Sequence, residues 1–357
     1  MRLGLFLASA LPLVLLGVAA ASAQSGPPPP PPLSPARAAG DFVYLSGMLP
    51  TGPSGALVEG DIKAQTRRVL DNLAALLGAN GSRMDRVASV TVYLRRASDF
   101  AAMNEVYAGY WPKDPPARTT VVAPPVLPAA LVEISLVAVR DGAERVVVHP
   151  AAWLRSPNPY SYGIKSGNTL FLSGLIARQG KDNSFTGGDM KAQATSVFAN
   201  ARAVLDAAGF SLADVTSSRV YITDTAMFQD MNAVYREAFP AMPPARATVR
   251  CDLTSPQYLV EITMVAVRDP SRRAITTPAA DGSPGKANPV LSSAIHVGNR
   301  LYLSGMLGQT EANRGDAAAQ TKETLARLGR TLRAAGFDWG HVVEALVYLP
   351  DARHFGA

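Results

Sequence analysis

Phe42-Val43-Tyr44-Leu45-Ser46-Gly47 is a short run of β-formers closing on Ser-Gly, and the chain writes it three times. It returns as Leu170-Phe171-Leu172-Ser173-Gly174 and again as Leu301-Tyr302-Leu303-Ser304-Gly305. Ser173 lies 127 residues beyond Ser46, and Ser304 lies 131 beyond Ser173. Working outward, the flanking segments follow in the same order. Asp61-Ile62-Lys63-Ala64-Gln65 returns as Asp189-Met190-Lys191-Ala192-Gln193, and Met103-Asn104-Glu105-Val106-Tyr107 as Met231-Asn232-Ala233-Val234-Tyr235. Pro115-Pro116-Ala117-Arg118 matches Pro243-Pro244-Ala245-Arg246, and Leu131-Val132-Glu133-Ile134 matches Leu259-Val260-Glu261-Ile262. Collinear matches at a near-constant offset are the signature of tandem repeats.

One repeat reads as an α+β unit. Val43–Ser46 is a buried strand. Asp61 caps a helix whose apolar face is Ile62, Val69, Leu73, Leu76 and Leu77, ending near Gly78. Val87–Leu94 alternates into a second strand, Ser98 opens a second helix, and Pro115-Pro116 stops it. Thr119–Val122 and Leu131–Val139 add two strands, giving a mixed sheet with two helices on one face. The third copy repeats the first strand (Asn299–Gly305), the first helix (Asp316–Ala335) and the second strand (Val342–Leu349). The sequence then ends at Ala357, early in the second helix. The expected lobes are therefore 36–141, 156–269 and a truncated 287–357, joined by linkers Asp141–Pro157 and Arg268–Ala287.

The amino-terminal residues have a different character. Arg2 precedes an apolar run from Leu3 to Ala21, and Ala21-Ser22-Ala23 is a small-x-small cleavage pattern. Residues 1–23 are expected to be a signal peptide, so the mature chain is expected in the periplasm or secreted. An uncleaved anchor is the competing reading, which Pro12 and the cleavage pattern disfavour. Residues 24–35 carry the unbroken run Pro27 to Pro32, an extended polyproline spacer.

Composition removes several function classes. The 357 residues are 48% hydrophobic and 17% charged, enough apolar material for packed cores. The net charge of +6 is not concentrated in a basic stripe, so nucleic acid is not the expected partner. Cys251 is the single cysteine, which excludes an intrachain disulfide and a multi-cysteine zinc site. His149, His296, His341 and His354 form no ligand-spaced pair, and no metal is expected. No GxGxxG, phosphate-loop or GxSxG motif is present.

Two residue types stand out in each complete repeat. Arg118 and Arg246 follow a double proline at a strand start, where a guanidinium offers a planar fork to a carboxylate. A lone arginine is more often a surface residue or part of a structural salt bridge. Glu133 and Glu261 interrupt otherwise apolar strands, so each faces a cleft, finds a partner or lies at an edge.

Together the YLSG strand, DxxAQ helix start, MNxVY, PPARxTV and LVEIxxVAV segments resemble the RidA (YjgF) family of reactive-intermediate imine and enamine deaminases. The resemblance implies a chorismate-mutase-like α+β fold and trimers with a cleft at each subunit boundary. It implies that Arg118 and Arg246 bind a substrate carboxylate and that Glu133 and Glu261 position the attacking water. Thr120 and Thr248 stand where the family commonly has a cysteine, and Tyr160 matches a family tyrosine. The first repeat has Leu33 there, and the third has Val290 or Leu291. Met48, Leu175 and Met306 stand where the family has a glutamine after Ser-Gly. The implied reaction is hydrolysis of small 2-imino or enamino acids to 2-oxo acids and ammonia, as by a 2-iminobutanoate/2-iminopropanoate deaminase, without cofactor. A non-catalytic module that binds small carboxylates, or an assembly scaffold, stands beside it. Three linked lobes are expected to form an intrachain pseudo-trimer with unequal clefts, and the incomplete third lobe to favour self-association.

Overall fold

The computed structural model describes residues 33–356; the expected leader and nearly all of the proline spacer lie outside the described residues. The first repeat runs β1 (Ala36–Ala39), β2 (Phe42–Met48), α1 (Ile62–Ala79), β3 (Val87–Leu94), α2 (Phe100–Tyr110), β4 (Ala117–Val122) and β5 (Val132–Val139). The second runs β6 (Val146–Val148), β7 (Gly163–Ser166), β8 (Thr169–Leu172), α3 (Met190–Ala207), β9 (Val215–Ile222), α4 (Phe228–Ala238), β10 (Ala245–Arg250), β11 (Asp252–Leu253) and β12 (Val260–Val267). The third holds β13 (Arg273–Ile275), β14 (Ala294–Val297), β15 (Arg300–Leu303) and α5 (Ala317–Ala334).

Each long helix starts where the sequence places an aspartate. The Asp61, Asp189 and Asp316 carboxylates accept the Ala64, Ala192 and Ala319 amides, all at 2.9 Å. Such a cap contributes about 1 kcal/mol. From there α1 buries Ile62, Val69, Leu70, Leu73 and Leu77 at helical spacing against the sheet. The glutamine of the repeated motif has a structural task. Gln193 accepts the Leu259 amide at 2.9 Å and donates to the Gln257 carbonyl at 3.0 Å; Gln65 does the same for Leu131 and Ala129. Both glutamines thereby fix the entry to the strand that carries the glutamate.

The first two repeats share one strand order. The first sheet runs β1-β2-β5-β3-β4 and the second β7-β8-β12-β9-β10. In each, the crossover helix makes the last pair parallel, Val90 opposite Arg118 and Ser218 opposite Arg246. The linkers are more ordered than their composition suggests. β6 and β13 lie inside them and extend the hairpin of the following repeat, because β-branched stretches such as Val146-Val147-Val148 readily join an open edge. β11 crosses to the first repeat and pairs antiparallel with β4, covering that edge.

The expected third-repeat strand at Val342–Leu349 does not form. Its counterparts β3 and β9 each lie between two partners, and no strand equivalent to either partner occurs beside it among the described residues. Without a ladder its amides and carbonyls have only solvent to bond to, and Val347 is 79% exposed. The segment nevertheless keeps its position. Tyr93, Tyr221 and Tyr348 occupy the same place in the three repeats, and the Tyr348 hydroxyl lies 3.2 Å from each of the other two. The three repeats thus surround a common axis. Phe42, Thr169 and Arg300, also equivalent, form another layer: Arg300 donates to Thr169 Oγ1 at 2.8 Å and lies 5.0 Å from the Phe42 ring centre. Between these layers is a cavity of about 60 Å³ in which Arg219 binds both Glu344 carboxylate oxygens at 3.3 Å. No helix among the described residues is long and apolar enough to cross a membrane.

Candidate functional site

Two prolines deliver the chain into β4, and Arg118 follows at the second position of the strand. Its side chain turns to the helix side of the sheet. There the guanidinium carbon stands 4.6 Å from the Tyr107 ring centre and 5.8 Å from that of Phe100, both on α2. Tyr160, from the second repeat, closes the other side at 5.9 Å. Arg118 is only 4% exposed, its Nη1 has no hydrogen-bond partner, and no carboxylate among the described residues lies within 4 Å. Burial lowers its proton affinity, while the tyrosines and Glu261 act in the opposite sense. Aromatic faces offset part of the cost of a buried cation but leave its donors free.

The outer edge of β4 is where the second repeat docks. The Pro116 carbonyl accepts the Ser161 amide and the Arg118 carbonyl accepts the Gly174 amide, both at 3.0 Å. Farther along β4 the Thr120 amide favours the charged form of the Glu261 carboxyl. Glu261 sits in β12 opposite Tyr221 and is 5% exposed. Burial pushes its pKa up to about 8, against the pull of the Thr120 amide and Arg118. The carboxylate lies directly over Gly174, where an added Cβ would stand 1.8 Å from Oε1. Reciprocal backbone bonds between Leu175 and Ile262, at 2.9 and 3.0 Å, hold that glycine against β12. Thr120 Oγ1 and Ser173 Oγ are buried without partners.

Of the residues singled out from sequence, the fold therefore assembles Arg118, Thr120, Tyr160 and Glu261. The pairing runs between repeats: Arg118 acts on Glu261, whereas the shift of Glu133 has burial as its only cause. Glu133 lies over Gly47, its Oε1 1.9 Å from where a Cβ would be, with no arginine beside it among the described residues. Arg246 repeats the cationic half. It is 3% exposed, 4.5 Å from the Tyr235 ring centre, and its Nε and Nη1 lack partners. The third repeat docks on it through Gly305, whose amide meets the Arg246 carbonyl at 3.1 Å. Among the described residues no glutamate acts on Arg246. Tyr107, Tyr235 and Gly174 were not singled out. Both tyrosines follow the helical spacing of core residues, and their recurrence in the MNxVY segment was the available signal.

Three stretches of the chain, residues 24–140, 151–268 and 283–357, match the family model described as Endoribonuclease L-PSP. Over 107 residues the chain is 43% identical to a RutC family protein of Sulfurisphaera tokodaii, covering 30% of this chain and 86% of that one. RidA from an Antarctic Psychrobacter species is 31% identical over 34% of this chain and 99% of its own, with a TM-score of 0.33. A chorismatase, 17% identical, covers 65% of this chain and 79% of its own with a TM-score of 0.51, a likeness of fold alone.

Proposed function

The chain belongs to the Endoribonuclease L-PSP family, which takes in RidA and RutC proteins, and we propose that its Arg118–Glu261 pocket hydrolyses small 2-imino or enamino acids to 2-oxo acids and ammonia. Membership supports a role in imine and enamine deamination. The observation that carries the finer reading is a buried guanidinium with free donors beside a buried carboxyl whose pKa is about 8.

Arg118 grips the substrate carboxylate with its planar fork and sets C2 against Glu261. That neutralises the guanidinium and removes part of its downward pull on Glu261. At neutral pH Glu261 holds its proton and gives it to the imine nitrogen, making C2 electrophilic. The resulting carboxylate takes a proton from water as the water oxygen bonds to C2. The carbinolamine nitrogen then receives that proton, the C–N bond breaks, and the hydroxyl proton returns to Glu261. Ammonia leaves and the 2-oxo acid remains. A pKa near the working pH suits a group that both gives and takes the proton.

Ammonia release from 2-iminobutanoate generated in place tests this. Glu261→Gln should lower kcat by about a hundredfold, the usual contribution of a general acid–base. Binding of 2-oxo acids without ammonia release would identify a binding module instead. We propose further that the three repeats stand in for three subunits and that residues 1–23 direct export. Amino-terminal sequencing that recovers Met1 would refute the latter.

A further inference from the structure

Beside the Arg118–Glu261 pocket, the second repeat builds a wall of its own. Trp153 and Tyr160 both meet Tyr162 edge to face, at 4.8 and 5.8 Å between ring centres. The indole lies over Gly180, where an added Cβ would come within 2.0 Å of the ring. The Leu154 amide fastens the same segment to the Gly180 carbonyl at 2.8 Å. Between this wall and Gly174 is a cavity of about 20 Å³, also lined by Arg178. That space suits a small polar group and is too small for a ring.

Arg178 is half-buried and held by one bond, from its Nε to the Asn183 carbonyl at 3.0 Å. It makes no ion pair among the described residues. Asp182, the acid of the same turn, accepts from the Ser184 amide and hydroxyl at 2.9 and 2.7 Å. Tyr160 links the two arginines: it covers Arg118 and lines, with Arg178, the small cavity. Counting from the Ser-Gly of each strand, Arg178 falls on Thr51 and Gln309 in the other repeats, and Tyr162 falls on Ser293 in the third. The second cation and its aromatic wall therefore occur only where arginine and glutamate meet.

We infer that Arg178 is a second anion anchor and that the pocket takes 2-imino acids bearing a second acidic group, the 2-imino dicarboxylates. This rests on the reading of Arg118 as the anchor of the first carboxylate. One carboxylate lies under Tyr107 on Arg118, and the other enters the small cavity at Arg178 beyond Tyr160.

Calorimetry on the full chain with two stable 2-oxo acids tests it: 2-oxoglutarate, with a second carboxylate, and 2-oxopentanoate, without one. 2-Oxoglutarate should bind about tenfold more tightly, as one added charge-assisted contact gives. Arg178→Gln should bring the ratio close to one. Arg178→Lys loses the Nε bond but keeps the charge, so it should retain most of the preference and separate charge from loop anchoring. Equal affinities in the unaltered chain, or a preference that survives Arg178→Gln, would overturn the inference and leave the Arg118 reading in place. Failure of both probes to bind would overturn both.

Discussion

Arg118 pulls on the proton of Glu261 from a different repeat, yet the two form no ion pair. Each has other neighbours: the guanidinium lies on the Tyr107 ring, and the carboxyl packs over Gly174, where the Thr120 amide favours its charged form. A direct salt bridge would occupy both groups. Kept apart, they remain available to a molecule that carries an anion at one end and a basic nitrogen near it.

The first expected outcome is one tight site per 357-residue chain. Titration with 2-oxobutanoate should give a stoichiometry near one. Arg118→Lys, which keeps charge and loses the fork, should weaken binding at least about tenfold. Arg246→Lys should change it far less, since no glutamate accompanies Arg246 among the described residues. Three equivalent sites would contradict this assignment.

Two glycines provide a matched comparison. Gly174→Ala and Gly47→Ala each drive a methyl into a glutamate Oε1, from 1.8 and 1.9 Å. Both should cost stability by displacing a packed carboxyl. Only Gly174→Ala should lose turnover, by about a hundredfold if general acid–base action is removed. Equal loss in both variants would show that Glu133 works too.

Glu261 also sets a pH dependence. Folding raises its pKa from 4.5 to about 8, so the folded chain holds this proton more tightly. Its contribution to stability is full below the ordinary glutamate range and is lost as pH rises through about 8, in total on the order of 3–5 kcal/mol. Urea melts at pH 6 and pH 9 should show somewhat over half of that loss in the parent chain and much less in Glu261→Gln. Turnover should decline over the same rise, as the acid form disappears.

The third repeat leaves Leu307 at 80% and Val347 at 79% exposure. Self-association that grows with concentration is expected by light scattering, and Leu307→Glu with Val347→Glu should reduce it. A monodisperse monomer at high concentration would count against it.

Sequence made much of this visible where the physics is local. Asp61, Asp189 and Asp316 cap helices through amides three residues away, so their role is written beside them. Glu261 stood out because a charge amid apolar strand residues needs a reason, and Arg118 because it follows a double proline at a strand start in both complete repeats. Their partnership was not visible, because it depends on the docking of one repeat's edge strand onto another repeat's hairpin. Tyr107 fits helical periodicity whether it packs on leucine or on a guanidinium. Val342–Leu349 carries a strand pattern, but a ladder is a property of two segments, and no partner strand lies beside it among the described residues.

The Arg219–Glu344 pair on the central axis bears on what joining the repeats makes possible. Glu344 corresponds to Ser89 and Ser217, and Arg219 to Thr91 and Leu346. An assembly of identical chains could not hold this pair singly. Any arginine placed near a threefold axis arrives as three, bringing like charges close together. A single polypeptide escapes that rule, because each position is encoded once per copy. Charge can then be set against charge at the centre, and one cleft can acquire Arg178 and Trp153 while its counterparts drift. Covalent fusion here amounts to a licence for asymmetry.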